Sequence, residues 1–326
     1  MRLGIIGAGV IAGVMAKTVT LMQKNGEDVS LYAIASRTQE KADAFAREWG
    51  FEKAYGSYEA LAADENVDLV YIATPHSHHA EQIKLCLTHG RAVLCEKAFT
   101  ANAAQAEECF ALAREKNILL TEAIWTRYMP SRRIIDDLIA EGVIGDVHMV
   151  TSSLCYPIQS KERMVDPALA GGALLDLGVY TINFASMVMG ADVQGVYSHA
   201  ELTDRGVDHT ENITLVYPGG KTAHLSSSFM ARSDRRCCIM GSKGYITTSN
   251  VNNPLVIEVR DTKDELIRHI DVPQQLTGYE YEVRACMKAL EEGRIECEEM
   301  PHEESIRVMK VMDGLRKDWG VRFPFE

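Results

Sequence analysis

The chain lacks the devices that mark special environments. None of its eight cysteines stands in a C-x-x-C pair, so neither a zinc ribbon nor a thioredoxin-type redox motif is written into it. Cys86, Cys95, Cys109, Cys155, Cys237, Cys238, Cys286 and Cys297 read as reduced thiols of a cytoplasmic protein, and the adjacent pair Cys237-Cys238 suggests nothing beyond that. No uninterrupted apolar run approaches the roughly 18 residues of a membrane-crossing helix. Met1-Arg2-Leu3-Gly4-Ile5-Ile6 has the outline of a short leader, but reads better as a first strand. Positive charge is short: 34 Lys plus Arg face 46 Asp plus Glu, for a net charge of −12. That balance lacks the basic footprint of a nucleic-acid binder and the polybasic run of a membrane-surface binder.

What is present is a globular composition, 46% hydrophobic and 25% charged, too apolar for a disordered chain. A length of 326 residues suits two domains at roughly 100–200 residues each. The first part alternates short apolar runs with amphipathic stretches. Strands are expected at residues 3–7, 29–35, 68–73, 91–95 and 118–121, with helices between them. Ile11, Val14, Met15, Thr18 and Met22 set the first helical stripe. Such repeats build a doubly wound parallel sheet. Beyond residue 121 the pattern changes. One helix is expected over 132–141, then successive strand-like runs at 147–156, 193–199, 211–216, 221–229, 237–240 and 244–248, and two closing helices at 279–292 and 302–319. Turns at Pro218-Gly219-Gly220 and Gly241-Ser242-Lys243-Gly244 read as hairpins. Strands without helices between them imply a mostly antiparallel sheet. The expected domains are 1–121 and 122–326.

Gly7-Ala8-Gly9-Val10-Ile11-Ala12 closes the first strand and opens the first helix, matching G-x-G-x-x-G/A in the context that the motif requires. Gly7 permits the tight turn, Gly9 lets the backbone approach a pyrophosphate, and Ala12 keeps helix and sheet close. The N–H groups of Val10 and Ile11 then face the phosphates at a helix N-terminus. The end of the second strand selects the cofactor. An NAD site places an acid there for the ribose hydroxyls, whereas this chain has Ser36-Arg37-Thr38, with Ser36 27 residues after Gly9. A hydroxyl and a guanidinium suit a 2′-phosphate, so NADP is expected in preference to NAD. Thr74, Pro75, His76 and His79 follow another strand, where they are expected to line the cofactor pocket. The three histidines His76, His78 and His79 lack further ligands nearby, so no metal is expected.

Glu96-Lys97 lies past the strand 91–95, again at the crevice end. A lysine there can orient a substrate hydroxyl, or it can be an ordinary surface lysine. In the apolar stretch Gly171–Asn183, Asp176, Tyr180 and Asn183 fall at i, i+4 and i+7 on one helical face. A polar stripe on a buried helix is either a structural network or the wall of a polar cavity. In the second case Tyr180 is a general acid/base.

These residues together resemble a family. Gly7-x-Gly9-x-x-Ala12, Glu96-Lys97 and Gly171-Gly172-Ala173-x-x-Asp176-x-Gly178-x-Tyr180 are similar to the glucose–fructose oxidoreductase/inositol dehydrogenase (Gfo/Idh/MocA) family across essentially the whole chain. Glu122-Ala123-x-Trp125-Thr126-Arg127-Tyr128-x-Pro130 and Asp166-Pro167-Ala168-Leu169-Ala170-Gly171-Gly172 resemble its dimeric dihydrodiol dehydrogenase/NADP-dependent D-xylose dehydrogenase branch. The resemblance implies an N-terminal Rossmann domain and a C-terminal α/β domain whose open sheet mediates dimers or higher homo-oligomers. It implies that Lys97 is held near the nicotinamide and substrate, that Tyr180 is the catalytic acid/base, that Asp176 is its acidic partner, and that Trp125 and Arg127 approach the nicotinamide end. Ala98 departs from the family's Glu-Lys-Pro motif, which sets the backbone at Lys97 less rigidly. Tyr180 stands where many members have histidine, which favours the dihydrodiol branch. The expected activity is reversible hydride transfer between NADP(H) and a secondary alcohol or carbonyl of a sugar, polyol or vicinal diol. A non-catalytic redox sensor on the same fold is the alternative.

Overall fold

The computed structural model describes residues 1–326. In its first part, apolar runs become strands buried on both faces, the environment of a parallel sheet covered by helices. The order is β1 (Arg2–Ile6), α1 (Val10–Lys24), β2 (Ser30–Ala35), α2 (Gln39–Trp49), β3 (Lys53–Tyr55), α3 (Tyr58–Ala62), β4 (Leu69–Ile72), α4 (His79–Thr88), β5 (Ala92–Glu96), α5 (Ala103–Lys116) and β6 (Leu120–Ala123). The six strands run β3-β2-β1-β4-β5-β6, all parallel. This is the doubly wound order, and its ligand crevice lies where β1 and β4 diverge, beyond their carboxyl ends. β3 and α3 were not anticipated. β3 is a three-residue edge strand, too short to show an alternation, and α3 has five residues behind its Ser57 cap.

The later part holds α6 (Pro130–Ala140), β7 (Val147–Cys155), α7 (Glu162–Val165), α8 (Val179–Met189), then β8 (Gly195–Leu202), β9 (Asp208–Val216), β10 (Thr222–Ser228), β11 (Cys237–Gly241), β12 (Gly244–Thr248), β13 (Val256–Asp261) and β14 (Leu266–Asp271), and finally α9 (Glu280–Glu291) and α10 (His302–Trp319). Eight strands form one sheet, β14-β13-β12-β11-β7-β10-β9-β8. Every neighbouring pair is antiparallel except β7 with β10, so the mostly antiparallel sheet is as expected. Both glycine turns close hairpins, β9–β10 and β11–β12. β13 and β14 escaped the sequence reading: β14 is exposed along nearly all its length, so no burial imposes an apolar phase on it, while β13 does alternate, but over only six residues. The segment Pro167–Met189 is long and apolar enough to cross a membrane by composition, yet 78% of its most apolar stretch is buried inside the protein. That is the setting of a core helix.

The chain divides into two compact units: Met1–Trp125 with Gln275–Met309, and Thr126–Gln274 with Lys310–Glu326. The expected boundary at 121/122 therefore falls at 125/126, and the expected single C-terminal domain is interrupted by a segment that belongs to the first unit. The cause is specific bonding over long sequence separations. Arg284 grips Glu27 with two bonds of 2.8 and 2.7 Å. His302 Nε2 lies 2.8 Å from the Leu120 carbonyl oxygen, and Ser305 donates to Glu122 at 2.7 Å. Thr277 and Thr18 share a hydroxyl contact of 2.7 Å.

Candidate active site

In the first unit the turn between β1 and α1 has the geometry that its glycines predict. Gly7 has φ of +101°, and a Cβ there would lie 2.8 Å from the Ala73 carbonyl oxygen. Gly9 caps α1 without any side-chain hydrogen bond, and no acidic residue stands in the first turn. A Cβ on Gly9 would meet nothing within 4 Å. The helix thus offers uncapped N–H groups and its positive dipole end to open space, a cradle for an anion. Val10 is 90% exposed at its rim, whereas Ala12 is fully buried against the sheet. At the end of β2, Ser36 is buried, Arg37 is exposed, and Thr38 accepts from the Lys41 N–H as the cap of α2. None of Ser36, Arg37 and Thr38 is acidic. The donor set Ser36-Arg37 therefore fits a phosphorylated ribose, and the cradle fits a dinucleotide.

The β4 end carries the next expected residues. Thr74 donates to Gln82 at 2.7 Å, and Pro75 leads into the turn of His76–His78. His76 is buried and packs edge-on against His79, with ring centroids 5.9 Å apart. His79 is wholly buried. Its Nε2 lies 2.8 Å from the Thr74 carbonyl oxygen, and its Nδ1 lies 3.0 and 3.2 Å from those of Ala98 and Phe99. Burial outweighs these contacts and lowers its pKa. The expectation that its ring lines the cofactor pocket gives way to a tether between the β4 and β5 loops. No three His, Cys, Asp or Glu side chains in the molecule are grouped to hold a metal ion.

Glu96 ends β5 and Lys97 follows it, half-buried. The Lys97–Ala98 peptide bond is cis. Behind this corner, buried Tyr71 donates to Glu96. Glu282 of α9 is also fully buried, and neither of its oxygens has a hydrogen-bond partner. Burial, then the charge of Glu96, pushes the Glu282 carboxyl well above the ordinary carboxylate range. Trp125 stacks on Tyr279 at 4.5 Å, with Gly278 packed against its ring.

In the second unit, Asp176 lies in a π-helical turn, Leu174–Gly178, that leads into α8. Such widened turns are frequent at functional sites. Tyr180 lies in the first turn of α8 and is 8% exposed. Asp176 accepts a 2.7 Å bond from Arg163 of α7. Arg205 brackets α7, reaching Glu162 at 2.7 Å and Asp166 at 3.0 Å. Asn183 accepts from Arg127 Nε at 2.7 Å and donates to the Val179 carbonyl at 2.8 Å. Arg127 also donates to Ser186 at 3.4 Å. The polar stripe is therefore split. Asn183 belongs to a structural network with Arg127, while Asp176 is engaged by a mobile-length side chain from another element.

Sequence reasoning missed Arg163, Asp208, Glu211 and Glu282. Two of them carried a readable signal. Glu211 shares the strand phase of Ile213 and Leu215, and Glu282 shares the helical face of Cys286 and Ala289. An acid in an apolar phase marks a buried carboxyl. All eight cysteines are free thiols, and burial pushes Cys86, Cys109 and Cys237 up to about 12, so these three are inert.

The chain matches two family models. Residues 1–123 match the oxidoreductase family with an NAD-binding Rossmann fold, and residues 133–247 match the GFO/IDH/MocA C-terminal domain. It is 33% identical to the mouse trans-1,2-dihydrobenzene-1,2-diol dehydrogenase over 99% of this chain and 98% of that protein. It is 36% identical to the Xenopus tropicalis protein of the same name, over 98% of each. Among solved structures, KijD10, a 3-ketoreductase from Actinomadura kijaniata in complex with NADP and TDP-benzene, superposes with a TM-score of 0.87 at 30% identity, over 97% of each chain.

Proposed function

The chain belongs to the Gfo/Idh/MocA family of NAD(P)-dependent oxidoreductases, and on that premise we propose that it moves a hydride reversibly between NADP(H) and a secondary alcohol or carbonyl, with a vicinal diol, sugar or polyol as substrate. The observation that carries the cofactor half is the uncapped first turn of α1 beneath open space at Gly9. The substrate half rests on relatives named as diol dehydrogenases and a ketoreductase. Gly7, Gly9, Val10, Ile11 and Ala12 hold the pyrophosphate. Ser36 and Arg37 hold the 2′-phosphate, with Thr38 ordering their loop. Thr74, Pro75, His76, Glu96, Trp125 and Arg127 complete or support the cofactor walls.

When bound, the nicotinamide supplies or accepts the hydride. The chain's own groups handle the proton and the geometry. In oxidation Tyr180 takes the proton of the alcohol as the C–H bond breaks; in reduction it returns that proton to the new alkoxide. Lys97 orients the reacting oxygen and stabilises its developing charge. Asp176, already bonded to Arg163, contributes a fixed negative charge to the positioning of Tyr180 and of a second substrate hydroxyl. The enzyme works in the cytoplasm, where eight free thiols persist. It works as a homodimer or higher oligomer through the open face of the eight-stranded sheet. Supporting that surface, Tyr197 of β8, the register partner of Thr214, is 70% exposed.

The deciding measurement is turnover with NADP and, separately, NAD on D-xylose, D-glucose, inositol and a cyclic vicinal diol. Turnover with NADP on at least one substrate is expected. NADPH binding without any turnover would favour the sensor reading instead. A double-mutant cycle then tests the shared role of Lys97 and Tyr180. If both act on one oxygen, Lys97→Met and Tyr180→Phe are non-additive in kcat. Additive losses would separate their roles.

A further inference from the structure

We propose that Glu211, together with Asp208, is a positioning residue for the reaction: these two buried carboxyls clamp the wide turn Leu174–Gly178 and so fix where Asp176 and Tyr180 are held. The proposal rests on the reading of Tyr180 as the proton-transfer group and extends it to the scaffold beneath.

Three contacts carry it. Asp208 accepts the Leu174 N–H at 2.6 Å, in the buried interior. A Cβ on Gly172, at φ +124°, would lie 2.3 Å from Asp208 Oδ1. A Cβ on Gly178 would lie 2.5 Å from Glu211 Oε1. The backbone on both sides of the turn thus rests directly on carboxyl oxygens, and only glycine permits that approach. β9 is built to deliver both acids to one side. Residues three apart point to opposite faces of a regular strand. Here the register with β8 shifts between Glu201 and Leu202, so that Thr210 pairs with Glu201 and Asp208 with Leu202. This irregularity turns Asp208 inward with Glu211, and both are buried.

Two carboxyls this deep do not both carry charge. Burial raises the Asp208 carboxyl above its ordinary value, opposed by the Leu174 N–H, the main-chain N–H donors and Glu211, which favour its ionised form. Burial, then the charge of Asp208, pushes Glu211 well above the ordinary carboxylate range. Of the two, Glu211 therefore holds the proton, with its carboxyl beside Asp208. The remaining groups that face it are the hydroxyl of Ser227, its register partner on β10, and the thiol of Cys155 on β7. No cation neutralises it. Burying two acids where apolar side chains would fit costs stability. The return is placement of the turn, since an acid pair is a rigid, directional support that a methyl group is not.

The test uses the full-length enzyme and reads kcat, substrate KM, NADPH affinity by fluorescence, and amide hydrogen exchange of residues 172–180. Glu211→Gln keeps the length and still sets a neutral polar group against Gly178 beside Asp208, so kcat stays within about threefold of wild type. Glu211→Asp retracts the carboxyl from Gly178, so kcat falls at least about tenfold while NADPH affinity holds, and exchange over 172–180 speeds up. Gly178→Ala lowers kcat as well, and combining it with Glu211→Asp restores part of the loss, because the shorter acid makes room for the methyl group. Wild-type kcat and unchanged exchange in folded Glu211→Asp would overturn the proposal. So would a parallel loss of NADPH affinity, which marks general destabilisation. Should Tyr180→Phe retain its kcat, the parent reading fails, and the exchange data still decide the clamp.

Discussion

Two buried acids stand behind the candidate catalytic residues, Glu282 in the first unit and Glu211 in the second. Both are fully buried, and burial drives both carboxyls well above their ordinary value. Their neighbours differ. Glu282 faces side chains: the charge of Glu96, beyond which Tyr71 donates to Glu96, and the Cys297 thiol. Glu211 also has side chains near it, those of Asp208, Ser227 and Cys155, but its carboxyl oxygen lies in addition against the backbone of Gly178. An acid that faces side chains sets local charge. An acid that faces a glycine sets the path of the chain. The same burial therefore predicts different losses, in pH dependence for Glu282 and in catalytic geometry for Glu211.

The largest effect expected anywhere in the molecule is at Tyr180. Removing its hydroxyl with Tyr180→Phe lowers kcat by about 10²–10⁴-fold, the range of a general acid/base, and leaves NADPH affinity unchanged because the cofactor cradle lies in the other unit. A variant that retained most of its kcat would remove proton transfer from the second unit altogether. Glycines give the next test. Gly7→Ala drives a methyl into the Ala73 carbonyl at a positive φ and weakens NADPH binding by roughly tenfold or more. Gly178→Ala instead lowers kcat at constant NADPH affinity. Titrating both variants with NADPH and measuring single-turnover rates separates the two; a shared phenotype would erase the distinction between the units.

Arg37→Ala is a smaller and more selective change. Losing a guanidinium from a phosphate raises the KM for NADP by about 10–100-fold and leaves that for NAD alone. Equal effects on both cofactors would assign Arg37 to general surface charge.

The two units also differ in how much of them could be read in advance. The cradle was legible because its parts are neighbours in the chain. Gly7 through Ala12 specify a turn, a close approach and a helix start within six residues, and each requirement is local. The parallel strands announced themselves by continuous apolar runs. Asp176 and Tyr180 were legible as polar residues in an apolar helix, but their supports were not. Arg163 reaches Asp176 across 13 residues, and Asp208 reaches Leu174 across 34. Such contacts depend on tertiary packing that no periodicity encodes. The stripe itself misled in part. A widened π turn breaks the 3.6-residue spacing that had placed Asp176 and Asn183 on one face. The return of residues 275–309 to the first unit was equally hidden, since it is held by pairs such as Arg284–Glu27, 257 residues apart.

The smallest expected effect tests the other acid. A carboxyl in the position of Glu282 stays protonated in the folded protein to a higher pH than in the unfolded chain, where its ordinary value is 4.5. Between those two values the native state binds more protons, so the free energy of unfolding falls as pH rises. Its favourable contribution is complete below 4.5 and is lost on going up through the raised folded value. Gln at this position is neutral at every pH and removes that slope. Glu282→Gln should therefore match wild type in Tm near pH 5 and exceed it by about 1–3 °C near pH 8, with kcat unchanged to within about threefold. Glu211→Gln shares the alkaline gain in Tm, because its carboxyl is raised in the same direction. What separates the acids is the shorter side chain: Glu282→Asp keeps its kcat, while Glu211→Asp does not. An equal loss of kcat in both would mean that the carboxyl behind Glu96 also holds backbone in place, and the contrast between a charge-setting and a chain-setting acid would collapse.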